Sequence, residues 1–299
     1  MPGDQSGKRS LVNLSLFVKR SYEGYARDRA ALDHRSTSFA WDCRSIFPLR
    51  IAEGYTRSVA RDLRVSRSEK LAYGVHAVLE ALQTGEATAV FFTEQGREAH
   101  PDLLSLANAH GLKTEIRDEV FFTSQIGKVP HQGVMARVKP YAYGTAAEAL
   151  SQPGPLVALA GIENPGNLGA VIRTAAAFGI RSLLLEDAGS VRVNASVRRA
   201  AAGYLHRVRI ARCDLSTVVA DRGERQWLAL DPRAELTITE CLGAADRQRL
   251  GLLFGAEGKG IAPEALHKAR WQARIPIAAD VESLNLAVAV GICLFALQP

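Results

Sequence analysis

The stretch Ile275-Pro-Ile-Ala-Ala-Asp-Val-Glu-Ser-Leu-Asn-Leu-Ala-Val-Ala-Val-Gly-Ile-Cys-Leu-Phe295 joins a short apolar strand, a polar loop and an apolar helix. Every helix N-terminus leaves backbone N–H groups without intrahelical partners, and the side-chain oxygens of Ser283 or Asn285 are suited to accept them. Residues 286–297 are therefore expected to form a capped core helix. A loop this polar between two buried elements also has the character of a site. Which description matters more depends on what lies upstream.

Residues 156–299 alternate short apolar runs with helical spacing. Leu156-Val-Ala-Leu-Ala160, Ser182-Leu-Leu-Leu185, Trp227-Leu-Ala-Leu230, Leu250-Gly-Leu-Leu-Phe254 and Ile275-Pro-Ile277 read as strands, as do residues 207–211. Residues 168–178, 196–202 and 215–221 read as helices between them. Apolar strands alternating with helices predict an α/β domain, a parallel sheet covered on both faces. Ligands of such sheets lie beyond the carboxyl ends of the strands.

A smaller α/β unit precedes it. Val75-His-Ala-Val-Leu-Glu-Ala-Leu82 and Asp102-Leu-Leu-Ser-Leu-Ala-Asn-Ala109 have helical spacing, while Ala89-Val-Phe-Phe-Thr93, residues 113–117 and Gly133-Val-Met-Ala-Arg-Val138 read as strands. The organisation expected is an extension over 1–65, a small α/β domain over 66–140, a linker over 141–155 around the breaker run Pro153-Gly-Pro155, and the larger domain over 156–299. The extension mixes basic and aromatic residues without periodicity. Residues 1–70 hold fourteen Lys and Arg against eight Asp and Glu, which accounts for the whole formal charge of +6. Arg57-Ser-Val-Ala-Arg-Asp-Leu-Arg-Val-Ser-Arg67 would line one helical face with arginines, either a solvated surface or a contact for a polyanion.

At 299 residues, 47% hydrophobic and 23% charged, the composition is that of an ordinary globular chain with length for two cores. No apolar run reaches the roughly eighteen residues of a membrane span, and the first residues lack a signal-peptide apolar region, so a cytoplasmic address is expected. Cys43, Cys213, Cys241 and Cys293 form no Cys-x-x-Cys pair. Neither a disulfide framework nor a metal site is expected.

Three loops carry the chemistry. Gly161-Ile-Glu-Asn-Pro-Gly-Asn-Leu-Gly-Ala-Val-Ile-Arg173 leaves a strand and enters a helix, with Asn167 expected at the N-cap and Arg173 six residues on; together they suit a phosphate or ribose. Pro165-Gly166 reads equally as a tight turn. Phe254-Gly-Ala-Glu-Gly-Lys-Gly-Ile261 carries three glycines and precedes a helix that Pro263 can open. It lacks the Gly-Lys-Ser/Thr ending of a P-loop and the spacing of the dinucleotide fingerprint, which argues against a dinucleotide-dependent enzyme. The third loop is the stretch quoted first.

In this order and spacing, Asn167-Leu-Gly-Ala-Val-Ile-Arg173, Phe254-Gly-Ala-Glu-Gly-Lys-Gly260 and Ile275-Pro-Ile-x5-Ser283-Leu-Asn285 resemble the three motifs of the SpoU/TrmH class of SPOUT RNA ribose 2′-O-methyltransferases. The resemblance runs over residues 71–295. Tyr73-Gly-Val-His-Ala-Val78, His131-Gln-Gly-Val-Met-Ala-Arg137 and Gly291-Ile-Cys-Leu-Phe295 bring it nearest to the bacterial enzymes that modify a guanosine ribose of 23S rRNA. It implies an α/β-knot fold, S-adenosylmethionine (SAM) as methyl donor, a homodimer and a ribosomal-protein-like RNA-binding domain. Of the site residues, it implies that Gly255, Ile275, Leu284, Ser283 and Leu230 hold the cofactor. Arg173, Asn167, Glu257 and Asn285 then serve catalysis.

In the family the residue matching Arg173 is sometimes described as a general base; a guanidinium stays protonated in proteins, which favours instead a holder of the phosphate beside the target ribose. Two departures stand out. Leu286-Ala-Val-Ala289 lacks a hydroxyl often found there in the family, and compact members lack the 1–65 extension. The competing readings are a tRNA 2′-O-methyltransferase and a non-catalytic RNA-binding protein that dimerises through the knot domain.

Overall fold

A computed structural model describes residues 66–221, 225–255 and 260–298. The expectations for the 1–65 extension, including Cys43, and for Glu257 lie outside these residues.

The smaller unit runs β1 (Leu71–Tyr73), α1 (Val75–Gln83), β2 (Ala87–Phe92), α2 (Glu94–Ala99), α3 (Pro101–Ala109), β3 (Lys113–Ile116), α4 (Glu119–Ile126) and β4 (Val134–Val138). Its mixed sheet has the order β1-β4-β2-β3, with β4 antiparallel to both its neighbours and β2 parallel to β3. Ala77, Val78, Ala81 and Leu82 of α1 and Leu103 and Ala107 of α3 cover one face of it. α2 and α4 escape a reading by periodicity because each is short. Their starts are set locally: the side chains of Thr93 and Asp118 accept from the N–H groups of Gly96 and Phe121, both at 2.9 Å. Gly133 has φ +71°, and a Cβ on Gly96 would lie 2.1 Å from the Gly133 carbonyl oxygen, so two backbones meet where no side chain fits.

The larger unit runs α5 (Ala146–Ser151), β5 (Leu156–Leu159), α6 (Pro165–Ala177), β6 (Ser182–Glu186), α7 (Ala195–Ala201), β7 (Arg209–Cys213), α8 (Leu215–Ala220), β8 (Gln226–Leu230), β9 (Leu236–Thr237), α9 (Ile238–Ala244), β10 (Leu250–Phe254), α10 (Pro263–Lys268), β11 (Trp271–Arg274) and α11 (Leu286–Ala296). The seven strands are ordered β7-β6-β5-β10-β8-β11-β9 and every described pairing is parallel. Alternate residues of β5 serve opposite cores: Val157 and Leu159 pack with α6, α7 and α11, whereas Leu156 and Ala158 pack with α5, α8 and α10. Burial on both faces explains why the strands read as unbroken apolar runs. Gly251 stands opposite Trp227 on β8, and a Cβ there would come within 2.4 Å of the indole.

Three expectations need correcting, and two elements had none. The last sheet-forming segment before the polar loop is Trp271–Arg274, not residues 275–277, because Pro276 has no N–H for a ladder while Trp271, Gln272 and Ala273 pair with Leu228, Ala229 and Leu230. β7 begins at Arg209, after a short 3-10 turn over Leu205–Arg207. The segment read as a linker carries α5, and its tyrosines are tied in: Tyr143 Oη accepts from Val193 N at 2.8 Å and Tyr141 Oη from Ile210 N at 3.1 Å. Burial pushes the Tyr141 hydroxyl up to about 12. Finally, β9 and α9 had no reading, since β9 is only Leu236–Thr237.

The two units are joined by acid–base contacts. Arg198 of α7, 1% exposed, places its guanidinium Nη1 2.6 Å from Glu86 at the start of β2. Glu80 of α1 accepts from His206 N at 2.7 Å and lies 2.8 Å from His206 Nδ1. Arg192 lies 3.8 Å from Glu69. Cys213, Cys241 and Cys293 are unpaired and buried, and burial raises the thiols of Cys213 and Cys293 to about 12, which keeps them inert. No described helix is long and apolar enough to cross a membrane.

Candidate functional site

The strand order reverses between β5 and β10: one half of the sheet grows from β5 through β6 to β7, the other from β10 through β8. Loops leaving the two central strands diverge there and leave a crevice, the usual ligand position in an open parallel sheet.

After β5 the chain enters α6 three residues earlier than expected. Asn164, not Asn167, is the N-cap: its side chain accepts from Gly166 N at 2.7 Å and Asn167 N at 3.3 Å, and Pro165 takes the first helical position, where its missing N–H costs nothing. Relieved of capping, the Asn167 side chain points across the crevice. Asn285 Nδ2 donates to Asn167 Oδ1 at 3.0 Å, a contact between residues 118 apart in sequence. Asn285 is itself the N-cap of α11, accepting from Ala287 N at 2.9 Å and Val288 N at 3.4 Å. Two helix N-termini, each with a partial positive charge, are thus held side by side by an asparagine pair. A cavity of about 490 Å³ opens beside them, lined by Gly161, Ile162, Glu163, Asn164, Pro165, Asn167 and Leu286.

Asn285→Ala is expected to lower stability by about 1 kcal/mol through loss of the cap. Asn285→Ser, which can still cap but is too short to reach Asn167, should recover most of it in thermal unfolding. An alanine variant as stable as the parent would show that the cap contributes nothing.

The proposed cofactor residues are gathered by sheet register. Phe254 pairs with Leu230, and Leu230 with Ala273, so the ends of β10, β8 and β11 lie in a row and Leu230, Gly255 and Ile275 follow as neighbours at the carboxyl edge. A Cβ on Gly255 would lie 2.3 Å from the Gly260 carbonyl carbon and 2.6 Å from Ile261 N, so the chain returns over Gly255 through a space only glycine leaves open. Half-buried Leu230, Ile275 and Leu284 supply aliphatic surface, and exposed Ser283 lies on the loop before the α11 cap. Narrow backbone approach and aliphatic walls fit the adenosine of SAM. Among the described residues no cluster of His, Cys, Asp and Glu could hold a metal.

Arg173 is not beside the asparagine pair. Six residues turn a helix by about 240° and advance it roughly 9 Å, so Arg173 leaves α6 on another side. It is exposed and faces toward the smaller unit, where its charge, after burial and the charge of Arg199, helps to disfavour protonation of His76. Glu163, on the cavity wall, had no assigned role, although it stands within the quoted first loop. Asp231, just past β8, is buried and held by Arg233 below the usual carboxylate range. That pairing gives it a structural part.

The chain resembles several known proteins. Residues 154–295 match the model of the SpoU rRNA Methylase family, and residues 71–144 match the model for RNA 2′-O ribose methyltransferase substrate binding. An uncharacterised tRNA/rRNA methyltransferase of Mycobacterium leprae is 31% identical, over 98% of this chain and 97% of its own length. Another such protein, from Mycobacterium avium, is 33% identical over 74% of each. Among solved structures, an AdoMet-bound rRNA methyltransferase from Sinorhizobium meliloti superposes with a TM-score of 0.63 at 25% identity, covering 76% of this chain and 85% of that one. With its parallel sheet, its crevice at the strand-order switch and both family models in sequence along it, the chain belongs to the SpoU/TrmH class of RNA methyltransferases.

Proposed function

We propose that this chain is a SAM-dependent ribose 2′-O-methyltransferase that acts on a guanosine of 23S rRNA as a homodimer. The observation that carries the reading is the Asn167–Asn285 hydrogen bond, which ties two helix N-termini together beside a strand end open only to glycine. The likeness to the AdoMet-bound rRNA methyltransferase supports the donor and the substrate class. The substrate-binding match over residues 71–144 supports a ribose hydroxyl as acceptor. The class resemblance adds a knotted C-terminal segment.

SAM, when bound, supplies a methyl group on a sulfonium that is already a good leaving group. What remains for the protein is positioning and charge. In this reading Leu230, Gly255, Ile275, Ser283 and Leu284 hold the cofactor, while Asn167, oriented by Asn285, hydrogen-bonds the ribose hydroxyl. Arg173, farther along α6, grips the flanking phosphate with its guanidinium fork, and from there its charge lowers the cost of the developing alkoxide, whose proton passes to solvent. Because the guanidinium keeps its protons, it acts by charge and hydrogen bonds, not as a base. Glu257 is assigned to the loop or the target nucleotide.

The direct test is mapping ribose methylation in RNA from cells with and without the gene. One 23S guanosine losing its mark is expected; a lost mark in tRNA would reassign the substrate. A SAM titration showing no binding would favour the non-catalytic reading.

The homodimer is supported by α11. Its Leu286, Val290, Cys293 and Leu294 are buried, but Val288, Ile292 and Phe295 are 50%, 37% and 71% exposed and share one helical side. The helix is thus core on one side only, and its outer stripe suits a second copy of the same surface. Ile292→Glu with Phe295→Glu is expected to yield monomers by light scattering. A double variant that remained dimeric would move the interface elsewhere.

A further inference from the structure

Between the two units lies a cluster of cations of which the site described above uses only Arg173. α6 and α7 approach closely at Gly169, where a Cβ would come within 2.4 Å of Ala200 Cβ and 2.7 Å of the Val197 carbonyl. Arg173 stands one turn beyond Gly169 on α6, alongside the end of α7. The smaller unit seats its Tyr73-Gly-Val-His76 segment on that same end. The space over Gly74 is filled by the Arg199 side chain, whose Nε lies 2.8 Å from where a Cβ would be. The space over Gly203 is bounded by the His76 carbonyl at 3.3 Å and His76 Cβ at 3.6 Å. Three elements from two units therefore converge with Arg173, Arg199 and His76.

Nearby arginines are neutralised: Arg192, Arg198 and Arg212 pair with Glu69, Glu86 and Asp187. Arg173 and Arg199 form no ion pair among the described residues. Two guanidinium groups without an ion pair among the described residues, beside an exposed imidazole, make a local positive potential that attracts an anion. Burial first, then Arg199, then Arg173 disfavours the imidazolium form of His76, as expected where positive potential is already high. A neutral imidazole still offers one N–H to a phosphate oxygen. The forked guanidinium groups match the bidentate geometry of a phosphodiester.

We propose that Arg173, Arg199 and His76 form one binding site, at the seam between the two units, for the RNA phosphodiester backbone next to the target nucleotide. The substrate-binding unit then forms part of the active site through His76, instead of only anchoring RNA at a distance. This rests on the methyltransferase reading above.

The test uses the full chain and its substrate RNA, with affinity measured against salt concentration. Arg199→Ala and His76→Ala are expected to weaken RNA binding, by roughly tenfold for the arginine. The arginine variant should also lower the slope of log affinity against log salt by about 1. SAM affinity should stay at the parental value, which separates a lost contact from a misfolded chain. Arg199→Lys should keep the salt slope and lose part of the affinity, since charge remains and the fork does not. Arg270→Ala, a charge stacked on Trp271 at the opposite, amino end of β11, serves as control and should change neither. Unchanged RNA affinity and slope in both seam variants, with the parent binding normally, would overturn the inference alone. A parent that bound neither SAM nor RNA would overturn the functional reading itself.

Discussion

Arg173→Ala is expected to lower single-turnover methyl transfer by about 10²-fold, the loss expected when the flanking phosphate, and with it the ribose hydroxyl, is no longer held in line. SAM affinity should not change, because the residues proposed to hold the cofactor lie at the ends of β8, β10 and β11 and Arg173 on another side of α6. Arg173→Lys should recover little of the rate. Lysine retains the charge but presents a single rotating ammonium where the flanking phosphate requires a planar fork. The lysine variant is the sharper experiment: near-parental turnover would mean that charge alone suffices and that bidentate holding has no part. A general-base role makes a different prediction, a pH–rate profile whose rising limb moves to lower pH when Arg173 becomes Lys.

Glu86→Ala is expected to cost about 3–5 kcal/mol of stability, because it leaves the Arg198 guanidinium buried without its counter-charge. For a chain of this size that corresponds to a fall in Tm of about 10 °C. Arg198 is poorly placed to recover: its side chain is 2% exposed, its remaining bond to the Lys139 carbonyl is 3.4 Å long, and its Nε has no acceptor among the described residues. The reverse change, Arg198→Met, should cost distinctly less. Glu86 has a 32% exposed side chain, so water can solvate the carboxylate left behind, and methionine fills the arginine's apolar volume. Thermal or urea unfolding of the two variants decides the matter. Equal destabilisation would show that packing of residue 198, and not the buried charge, holds the units together.

How much of this was readable beforehand differs by level. The β5, β6, β8 and β10 strands were legible because both their faces are buried, which leaves unbroken apolar runs such as Leu156-Val-Ala-Leu159. β11 was misplaced by a few residues because Trp271-Gln-Ala-Arg274 has no such run; its position comes from pairing with β8, a contact distant in sequence. Asn167 was mistaken for the cap of α6 because two asparagines flank Pro165-Gly166, and only the helical hydrogen bonds of Asn164 distinguish them. The segment over 141–155 resembled a linker from its Gly, Pro and Ser content. The hydroxyls of Tyr141 and Tyr143, which satisfy backbone N–H groups in the larger unit, carry no such signal in sequence.

The amino-acid sequence by itself determined the α/β class, the parallel sheet and the three loops that resemble the family motifs, since these depend on local periodicity, turn chemistry and residue type. Only the tertiary structure decided that Asn285 caps one helix while holding Asn167 on another, that Leu230, Gly255 and Ile275 are neighbours, and that Arg173 and Arg199 together face His76 across a seam. These are long-range contacts, set by strand register and by helices meeting at glycines. No window of the chain contains both partners.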